Sequence, residues 1–422
     1  MILLIIVCWS LLLYAWLAYP LILKYRCGRP AHAGSMCEHA PSAPPSIAVL
    51  FSAHNEEKHI ESRLRNLLSL DYPADKLVVR VGADGCNDGT VEIARESAAR
   101  HPNILVHEVP RRRGKAAMLK DLVSQSSESI LVFTDANAAF RPDALKMLLR
   151  HFGDPAVGGV CGRLIFISAG QDESHGSTLP DPHTPGPAYS RNPILPHSDT
   201  SPESAYWRWE TNLKQRESAL DSCLGGNGAI YAVRRGLFWE DLPENTIIDD
   251  FVIGMKVREQ GFRMVYEPAA LAHESLPGHA AHEWSRRARI GAGGYQALML
   301  CRACLLPRYG AFAWSFWSHK VLRWFTPHLM LALLIAGWGS VLARGNRPWS
   351  CNSMFGYLTT PTIVTAVMAA WALAGMLRHL AMCPEALRLV DHFMSMQAAL
   401  FAGFLRFCRG NLKGYWSRTP RG

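Results

Sequence analysis

The sequence has few features of a disulfide-linked or zinc-binding protein. Its 11 cysteines are scattered over 422 residues and show no zinc-ligand spacing. Cys301 and Cys304 come closest to a ligand pair, but no second pair accompanies them. Cysteines without a disulfide framework are typical of proteins in a reducing compartment. The pattern argues against a disulfide-stapled secreted fold and gives no reason to expect a structural metal.

The sequence also lacks the glycine-rich turn of dinucleotide-binding proteins. The first short apolar run is followed by SAHNEE at residues 52–57, which contains no glycine. A dinucleotide-binding turn needs G-x-G-x-x-G directly after its first strand. A dehydrogenase-like function is therefore disfavoured.

Acidic residues are outnumbered, and the formal net charge is +9. Nucleic acid is one partner that such a charge would suit. However, much of the excess lies beside apolar segments, at Arg286, Arg287, Arg289, Arg406, Arg409, Lys413, Arg418 and Arg421. Charges in these places favour anionic lipid headgroups or a polyphosphate ligand, so we expect no nucleic-acid partner.

Long apolar runs are confined to the two ends of the chain. Residues 1–23 have no basic segment before them and no small-residue cleavage site after them, so an uncleaved transmembrane helix is favoured over a signal peptide. Lys24 and Arg26 follow, and the positive-inside rule places them and the middle domain in the cytoplasm. The protein is therefore expected in the inner or cell membrane. Residues 24–45 are assigned to a linker.

The C-terminal part is divided into an interfacial segment (296–311), transmembrane helices (312–343 and 359–382), a further apolar segment (389–407) and a basic tail (408–422). Pro327 is expected to kink the first of these helices. The further segment carries Asp391 and His392. Either an interfacial helix or a third C-terminal membrane helix fits it, and the interfacial helix agrees better with the charge of the tail.

The middle of the chain alternates between strand-like and helical patterns. Strands are predicted at 46–52, 77–82, 104–109 and 129–134, with helices at 56–70, 90–99 and 114–124 between them. This alternation predicts an α/β domain with a mainly parallel sheet over residues 46–295. Residues 172–203 hold seven prolines and no periodicity, so a mobile insertion is expected there.

Two carboxylates follow predicted strands directly. Asp84 comes after the second strand and Asp135 after the fourth. Ligands of open α/β sheets bind outside the carboxyl ends of the strands, and carboxylates there suit Mg²⁺ or Mn²⁺ bridging to phosphate oxygens. The alternative is that both are ordinary turn or helix-capping residues.

Six motifs in a fixed order carry a family resemblance. They are SAHNEE (52–57), ADGCNDGT (83–90), RGKAAML (113–119), Asp135-Ala136-Asn137, IDDF (248–251) and RRARIGAGG (286–294). Their order before apolar helices resembles glycosyltransferase family 2, the inverting family of cellulose, chitin, hyaluronan and poly-N-acetylglucosamine synthases. The resemblance implies a GT-A-like nucleotide-sugar-binding domain flanked by transmembrane helices.

The resemblance also implies the donor site. The residues expected to bind the nucleotide are Glu56, Asp84, Lys115, Arg286, Arg287 and Arg289. Carboxylates would accept hydrogen bonds from base and ribose, while the cations would stabilise the departing diphosphate. The alternatives are a solvated lysine in a basic run and an arginine cluster beside a membrane.

Asp135 and Asn137 occupy the place of the family's D-x-D motif and would bind Mg²⁺ or Mn²⁺. The asparagine removes one charge but keeps a carbonyl ligand, so metal binding would be weaker. Asp250 would be the general base, because inversion needs a carboxylate on the acceptor side. Asp249 would raise the pKa of that base by repulsion. The alternative is that Asp249 and Asp250 cap a helix starting at Phe251.

The acceptor site is expected at Gly226, Asn227, Gly228, Asp249 and Trp207. Ile290 stands where the family's acceptor-linked tryptophan is found, which leaves processive synthesis open. The expected reaction moves sugar from a nucleotide-diphospho-sugar, a UDP-sugar in the favoured case, to a lipid-linked or polysaccharide acceptor, with export proteins as potential partners. The alternative is a non-catalytic glycan-binding or polysaccharide-assembly subunit that keeps the fold.

Overall fold

The computed structural model describes residues 2–28, 41, 43–167, 202–275, 280–344, 365–367, 370, 373 and 385–412. The predicted insertion at 172–203, the predicted helix at 359–382 and the basic tail lie largely outside these residues.

An eight-stranded mixed sheet forms the centre of the domain. Its strands are β1 (Ile47–Ala53), β2 (Leu77–Asp84), β3 (Ile104–Val109), β4 (Ile130–Phe133), β5 (Ala139–Phe140), β6 (Val157–Ile167), β7 (Tyr231–Arg234) and β8 (Arg263–Ser275). Their order across the sheet is β3-β2-β1-β4-β7-β6-β8-β5. Strands β1 to β4 are parallel, whereas β7 is antiparallel to both β4 and β6. The predicted α/β class with a mainly parallel sheet is confirmed.

The helices follow the strands closely in the first half of the domain. Over all the described residues, the α-helices are α1 (Ile2–Leu13), α2 (Tyr19–Cys27), α3 (Glu57–Leu68), α4 (Thr90–Arg100), α5 (Lys115–Ser124), α6 (Ala144–Leu149), α7 (Pro202–Leu220), α8 (Asp249–Glu259), α9 (Ala280–Leu300), α10 (Gly310–Ser315), α11 (Leu322–Trp324), α12 (Thr326–Arg344) and α13 (Glu385–Cys408). Helices therefore lie before and after most of the parallel strands, as a parallel sheet requires.

The sheet is covered on both faces. Ile60 of α3 and Leu145 of α6 belong to one buried cluster, and Leu119 of α5, Ile253 of α8 and Phe312 of α10 belong to another. A parallel sheet buried on both faces needs continuous apolar strands, and β1 and β4 have that composition. Because both faces are covered, polar side chains can lie at the edge formed by the carboxyl ends of the strands.

Two apolar helical parts meet the length and composition expected of a membrane span. One is Leu3–Cys27, a single helix through a π turn, of whose apolar window 22% is buried. It extends beyond residue 23, where the predicted span ended. The other is the pair Pro307–Trp324 and Thr326–Gly339, which are bent by 57° at their junction. Pro327 lies in the first turn of the second helix, where its missing N–H is tolerated.

A buried polar network joins these apolar parts to the α/β domain. On α7, Glu217 Oε1 accepts a hydrogen bond from Tyr19 Oη of α2 at 2.7 Å and lies 2.6 Å from His319 Nδ1. Glu210 Oε2 lies 3.0 Å from His319 Nε2, and Glu210 Oε1 accepts from Lys320 Nζ at 2.5 Å. Removing one partner of a buried ion pair leaves an uncompensated charge. The network therefore fixes α7 against both apolar parts.

Close glycine contacts hold α13 along α9. A Cβ added at Gly403 would lie 2.6 Å from Ala288 O, and one at Gly291 would lie 3.1 Å from Leu400 Cα. Small residues allow two helices to approach with little separation. The segment predicted at 389–407 is thus part of a helix packed on α9, the helix that carries the predicted arginines. Whether it also contacts a membrane stays a prediction.

The contact of α8 with the loop before β7 gives a first prediction. A Cβ at Gly254 would lie 2.7 Å from both Gly225 Cα and Gly226 N, which are rigid backbone atoms. We expect Gly254→Ala to lower the free energy of unfolding by about 1–3 kcal/mol, measured by thermal or denaturant unfolding of the purified protein.

The matched control is Gly236→Ala, because a Cβ there would meet nothing within 4 Å. Helix propensity alone would make alanine better than glycine by about 1 kcal/mol. A Gly254→Ala protein that is more stable than wild type by about that amount would therefore show that α8 does not pack this closely on the loop.

Candidate active site

The loops after β1 and β2 are bound to one another. Asn55 adopts a left-handed conformation (φ 55°), which asparagine tolerates better than most residues, and its Oδ1 accepts a hydrogen bond from Asn87 N at 3.0 Å. The backbone amide of Glu56 donates to Thr90 Oγ1 at 2.8 Å. Glu56 is half-buried at the start of α3. The predicted nucleotide-binding carboxylate of Glu56 therefore lies on a cross-braced pair of loops.

Asp84 has a structural partner that the sequence did not reveal. Its Oδ1 accepts a hydrogen bond from Arg113 N at 2.7 Å, and its Oδ2 accepts one from Gly114 N at 2.8 Å. The side chain is buried, and Gly114 has a φ of 104° that favours glycine. Both oxygens of Asp84 thus hold the turn that places Lys115 at the start of α5. Its predicted contact with a nucleotide stays a prediction.

Lys115 lies among three carboxylates. Its Nζ is 2.7 Å from Asp135 Oδ1 and 3.6 Å from Asp249 Oδ2. A Cβ at Gly228 would lie 3.0 Å from Asp135 Oδ2, 3.4 Å from Lys115 Nζ and 3.6 Å from Asp250 Oδ2. We call Asp135, Asp249 and Asp250 around Lys115 the carboxylate cluster. The structure brings these four predicted residues and Gly228 together.

The cluster shifts the proton affinities of its members. Burial lowers the pKa of Lys115, but the charges of Asp135, Asp249 and Asp250 outweigh it and hold that pKa above its ordinary value. Burial raises the pKa of Asp249, Lys115 opposes the rise, and the other two carboxylates add to it, so that it reaches about 6. Perturbed carboxyl groups of this kind are typical of functional sites.

Helix α8 begins earlier than the capping alternative assumes. The helix begins at Asp249 and not at Phe251, and Ile248 is the N-cap, without a side-chain hydrogen bond. Asp250 Oδ1 accepts a hydrogen bond from Phe251 N at 2.8 Å. Asp249 and Asp250 therefore both lie in the first turn, where the helix dipole favours negative charge. Asp249 is buried, and Asp250 is half-buried at the edge of the cluster.

The Asp135–Asn137 segment offers oxygen ligands for a hard cation. Asn137 Nδ2 donates to Glu274 Oε1 at 2.6 Å, which leaves the amide oxygen as the atom suited to a metal. Asp249 Oδ2 is buried and has no hydrogen-bond partner among the residues that the structure describes, since Lys115 is too distant for one. Within the described residues, no three His, Cys, Asp or Glu side chains form a ligand group. The residues fit a cation that takes further ligands from a bound diphosphate.

Arg289 of α9 faces the carboxylate cluster. Burial, and then the charge of Arg286, lower its pKa to about 10, while Asp249, Asp135 and Asp250 oppose that shift. Its guanidinium also donates to Ile247 O at 3.4 Å. Residues three apart on a helix share a face, so Arg286 and Arg289 lie together, whereas Arg287, which is half-buried, is directed to a neighbouring face.

The predicted acceptor-side loop is held in place by backbone contacts. Gly226 N donates to Asp250 O at 3.0 Å, and Asn227 Nδ2 donates to Gly162 O at 3.2 Å. These bonds place Gly228 beside the carboxylate cluster. Trp207 lies elsewhere on α7 with its ring 5.3 Å from that of Phe166, at the end of β6. Its role in acceptor binding stays a prediction.

Sequence reasoning missed two residues near the site. Glu274, on β8, accepts the hydrogen bond from Asn137, and nothing in its local sequence indicated this. Arg63 is 3% exposed and lies on the apolar face of α3 with Ile60 and Leu67. A charged residue at an apolar helical position was a usable indication, because burying an arginine without partners is costly.

Comparison of the sequence with protein families gives one match over most of the domain. The profile described as "Glycosyltransferase like family 2" matches residues 44–293. The poly-beta-1,6-N-acetyl-D-glucosamine synthase of Staphylococcus aureus (strain COL) is 23% identical over 254 residues, which are 60% of this chain and 55% of that protein. The enzyme of the same name from Staphylococcus epidermidis is 22% identical over 257 residues. The match thus spans about half the length of these relatives.

A solved structure shares the architecture over nearly the whole chain. The mannosyltransferase PcManGT from Pyrobaculum calidifontis, in complex with GDP-Man and Mn²⁺, aligns with a TM-score of 0.62 and 22% identity. The alignment covers 96% of this chain and 99% of that one. The fold expected from the motifs, a GT-A-like α/β domain, is thereby confirmed. Since the family profile covers more than half of the chain, from before the first motif to the penultimate residue of the sixth, this protein belongs to glycosyltransferase family 2.

Proposed function

We propose that this transferase moves a sugar from a nucleotide-diphospho-sugar to an acceptor hydroxyl, with inversion at the anomeric carbon. The observation that carries the proposal is the convergence of Asp135, Lys115, Asp249 and Asp250 at the carboxyl edge of the sheet. Arg289 adds a second cation facing the same cluster. A site with separate carboxylates and cations matches a reaction that removes one proton and releases one anion.

The donor half of the site would lie at Asp135, Lys115 and Arg289. Asp135 and Asn137 would hold Mg²⁺ or Mn²⁺, which would bridge phosphate oxygens and offset the charge of the leaving diphosphate. Lys115 is held in its charged form, so it is preorganised as a point charge near that diphosphate. The related PcManGT structure contains GDP-Man and Mn²⁺ in the same fold.

The acceptor half would be centred on Asp250. Its carboxylate would take the proton of the acceptor hydroxyl as that oxygen forms a bond to the anomeric carbon. The bond from the same carbon to the diphosphate oxygen breaks, and its electron pair leaves with the diphosphate. Asp249, the buried neighbour of Asp250 in the chain, would add negative charge, and Gly228 would leave room for the reacting atoms. Attack from the side opposite the diphosphate inverts the configuration.

The relatives and the apolar helices support finer proposals. The named relatives are poly-beta-1,6-N-acetyl-D-glucosamine synthases, so we propose a UDP-sugar donor and a lipid-linked or polysaccharide acceptor. The helix Leu3–Cys27 and the bent pair that begins at Pro307 would hold the enzyme in the inner or cell membrane, with the catalytic domain in the cytoplasm. Export proteins would then be the partners of a polymeric product.

Asp250→Asn tests the role of the base. The amide cannot accept the proton, so we expect sugar transfer to fall by at least about 100-fold. Transfer is measured with labelled nucleotide sugar in detergent or reconstituted membranes, together with the melting temperature.

The control is Asp75→Asn, an exposed aspartate on the turn before β2. It makes the same chemical change at the amino end of β2, away from the carboxyl edge of the sheet where the site lies. Transfer should therefore stay at the wild-type rate. A folded Asp250→Asn protein that transfers sugar as fast as wild type would exclude Asp250 as the base.

Gly228→Ala tests the space between the donor and acceptor halves. The new methyl group would lie 3.0 Å from Asp135 Oδ2 and 3.4 Å from Lys115 Nζ, against groups fixed by an ion pair. We expect the KM for the nucleotide sugar to rise about tenfold or more, because displacement of these groups misplaces the diphosphate. Unchanged kinetics would show that no substrate atom approaches Gly228.

The raised pKa of Asp249 predicts a pH-dependent stability. The folded carboxyl has a pKa of about 6 against an ordinary 3.8, so the folded protein binds this proton more tightly than the unfolded chain. Stability contributed by this group is therefore lost as pH rises from about 4 through 6. We expect Asp249→Asn to melt at a higher temperature than wild type at pH 7.5, and the difference to vanish near pH 4. A variant that melts below wild type at pH 7.5 would contradict this.

A further inference from the structure

Arg63 is a buried cation with neutral hydrogen-bond partners. It is 3% exposed, and it donates from Nη1 to Asn66 Oδ1 at 2.8 Å and from Nη2 to Thr134 Oγ1 at 2.7 Å. Its guanidinium also lies 4.5 Å from the ring centroid of Phe140. Burial lowers its pKa to about 9, and the charge of Asp135 opposes that shift. A buried charge of this kind is costly, so its retention needs a reason beyond packing.

Thr134 connects Arg63 to the active site. It directly precedes Asp135, is fully buried, and its hydroxyl donates to Ala229 O at 2.7 Å. Ala229 in turn follows Gly228, the residue beside the carboxylate cluster. One chain of hydrogen bonds therefore runs from Arg63 through Thr134 to the acceptor-side loop, and it holds the start of the segment that carries Asp135.

Asn66, one turn further along the same helix, holds the other end of that segment. Its Nδ2 donates to Phe140 O at 2.9 Å, and its Oδ1 accepts from Phe140 N at 2.8 Å. This two-point contact fixes the backbone of β5, three residues after Asn137. The seven residues from Thr134 to Phe140 are thus held at both ends by side chains of α3. Asp135 and Asn137 lie between these two attachment points.

Helix α3 begins at the loop that carries Glu56, which is bound to the loop after β2. A helix is stiff over a span of two turns, so the distance between its first residue and Arg63 is fixed. The same rigid element therefore connects the predicted nucleoside-binding loop to the predicted metal-binding segment.

We propose that Arg63 and Asn66 are positioning residues, which set the place of Asp135 and Asn137 relative to the nucleoside-binding loop and so determine the affinity for the metal–nucleotide complex. The proposal rests on the proposed function, since it assumes a cation at Asp135 and Asn137. Neither side chain is expected to touch the substrate. Arginine suits this role because its planar fork donates in two fixed directions, to Asn66 and to Thr134.

The test uses two substitutions at the ends of one hydrogen bond. Arg63→Met removes the donor and keeps an unbranched apolar stem, and Thr134→Val removes the hydroxyl with little change in shape. For each full-length variant, Mn²⁺ binding is measured by the loss of the free-ion EPR signal in the presence of UDP or GDP. Melting temperature and donor kinetics are recorded in parallel. The matched control is Arg65→Met, an exposed arginine on the same helix.

We expect Arg63→Met and Thr134→Val each to weaken Mn²⁺–nucleotide binding by about tenfold, as loss of a hydrogen bond to a charged group does. The loss in the double variant should be smaller than the sum of the two single losses, because both substitutions remove the hydrogen bond between Arg63 and Thr134. Thr134→Ser, which keeps the hydroxyl, should restore binding to within about twofold, and Arg65→Met should match wild type. Saturating Mn²⁺ should recover much of the lost rate, which a general folding defect would not allow.

If wild type binds Mn²⁺ with nucleotide and Thr134→Val binds it equally well, the positioning role is wrong while the proposed function stands. Additive losses in the double variant would also contradict it. If wild type binds no Mn²⁺ with either nucleotide, the metal-dependent function itself fails and the positioning role fails with it. Should Arg63→Met not fold, the comparison of Thr134→Val with Thr134→Ser still decides the question.

Discussion

The rest of the site depends on one electrostatic constraint, the placement of three carboxylates around the ammonium group of Lys115. Three like charges at this separation cannot all be ionised in a buried place unless a cation lies among them. Lys115 supplies that cation, at 2.7 Å from Asp135 and 3.6 Å from Asp249. Its own position follows from Asp84, which binds the two backbone amides before it. The turn that precedes α5 is therefore as much a part of the site as the charged groups.

Two groups at the carboxylate cluster have shifted pKa values that a bound ligand of opposite charge would reverse. Asp249 has a raised pKa and Arg289 a lowered one, so both are held away from their ordinary proton affinities by burial and by neighbours of like charge. A divalent cation and a diphosphate arriving together would supply the opposite charges that each lacks. The frame around the cluster is rigid: α3 braces the segment after β4, α8 packs closely on the Gly225–Gly226 backbone, and α7 ties the domain to the apolar helices.

Much of the first half of the fold could be predicted from the sequence because it is local. Apolar runs with β-branched residues gave β1 to β4, and their ends lie within two residues of the expected ones. The strand pairing of the second half could not be predicted from the sequence. There β7 inserts antiparallel between β4 and β6, and β5 has only two residues. Such pairings are decided by contacts between distant parts of the chain and leave no local pattern.

The site divides in the same way. Motif order identified the residues that meet at Lys115, including both Asp249 and Asp250. It did not reveal what holds them, since those contacts join residues far apart: Arg63 and Thr134 are separated by 71 positions, and Asn137 and Glu274 by 137. Backbone partners, such as the amides bound by Asp84, cannot be recognised from the sequence, because they do not depend on residue type. Supporting contacts of this kind become visible only in three dimensions.

The most direct test of the account is transfer from a panel of labelled nucleotide sugars by membranes that contain the wild-type chain or Asp135→Ala, with the product sized. The account predicts Mg²⁺- or Mn²⁺-dependent incorporation from one donor into a lipid or polysaccharide fraction, and its loss in the variant, because Asp135 binds Lys115 and would also hold the cation. Incorporation that persists in a folded Asp135→Ala protein, or that proceeds equally well in excess chelator, would contradict it.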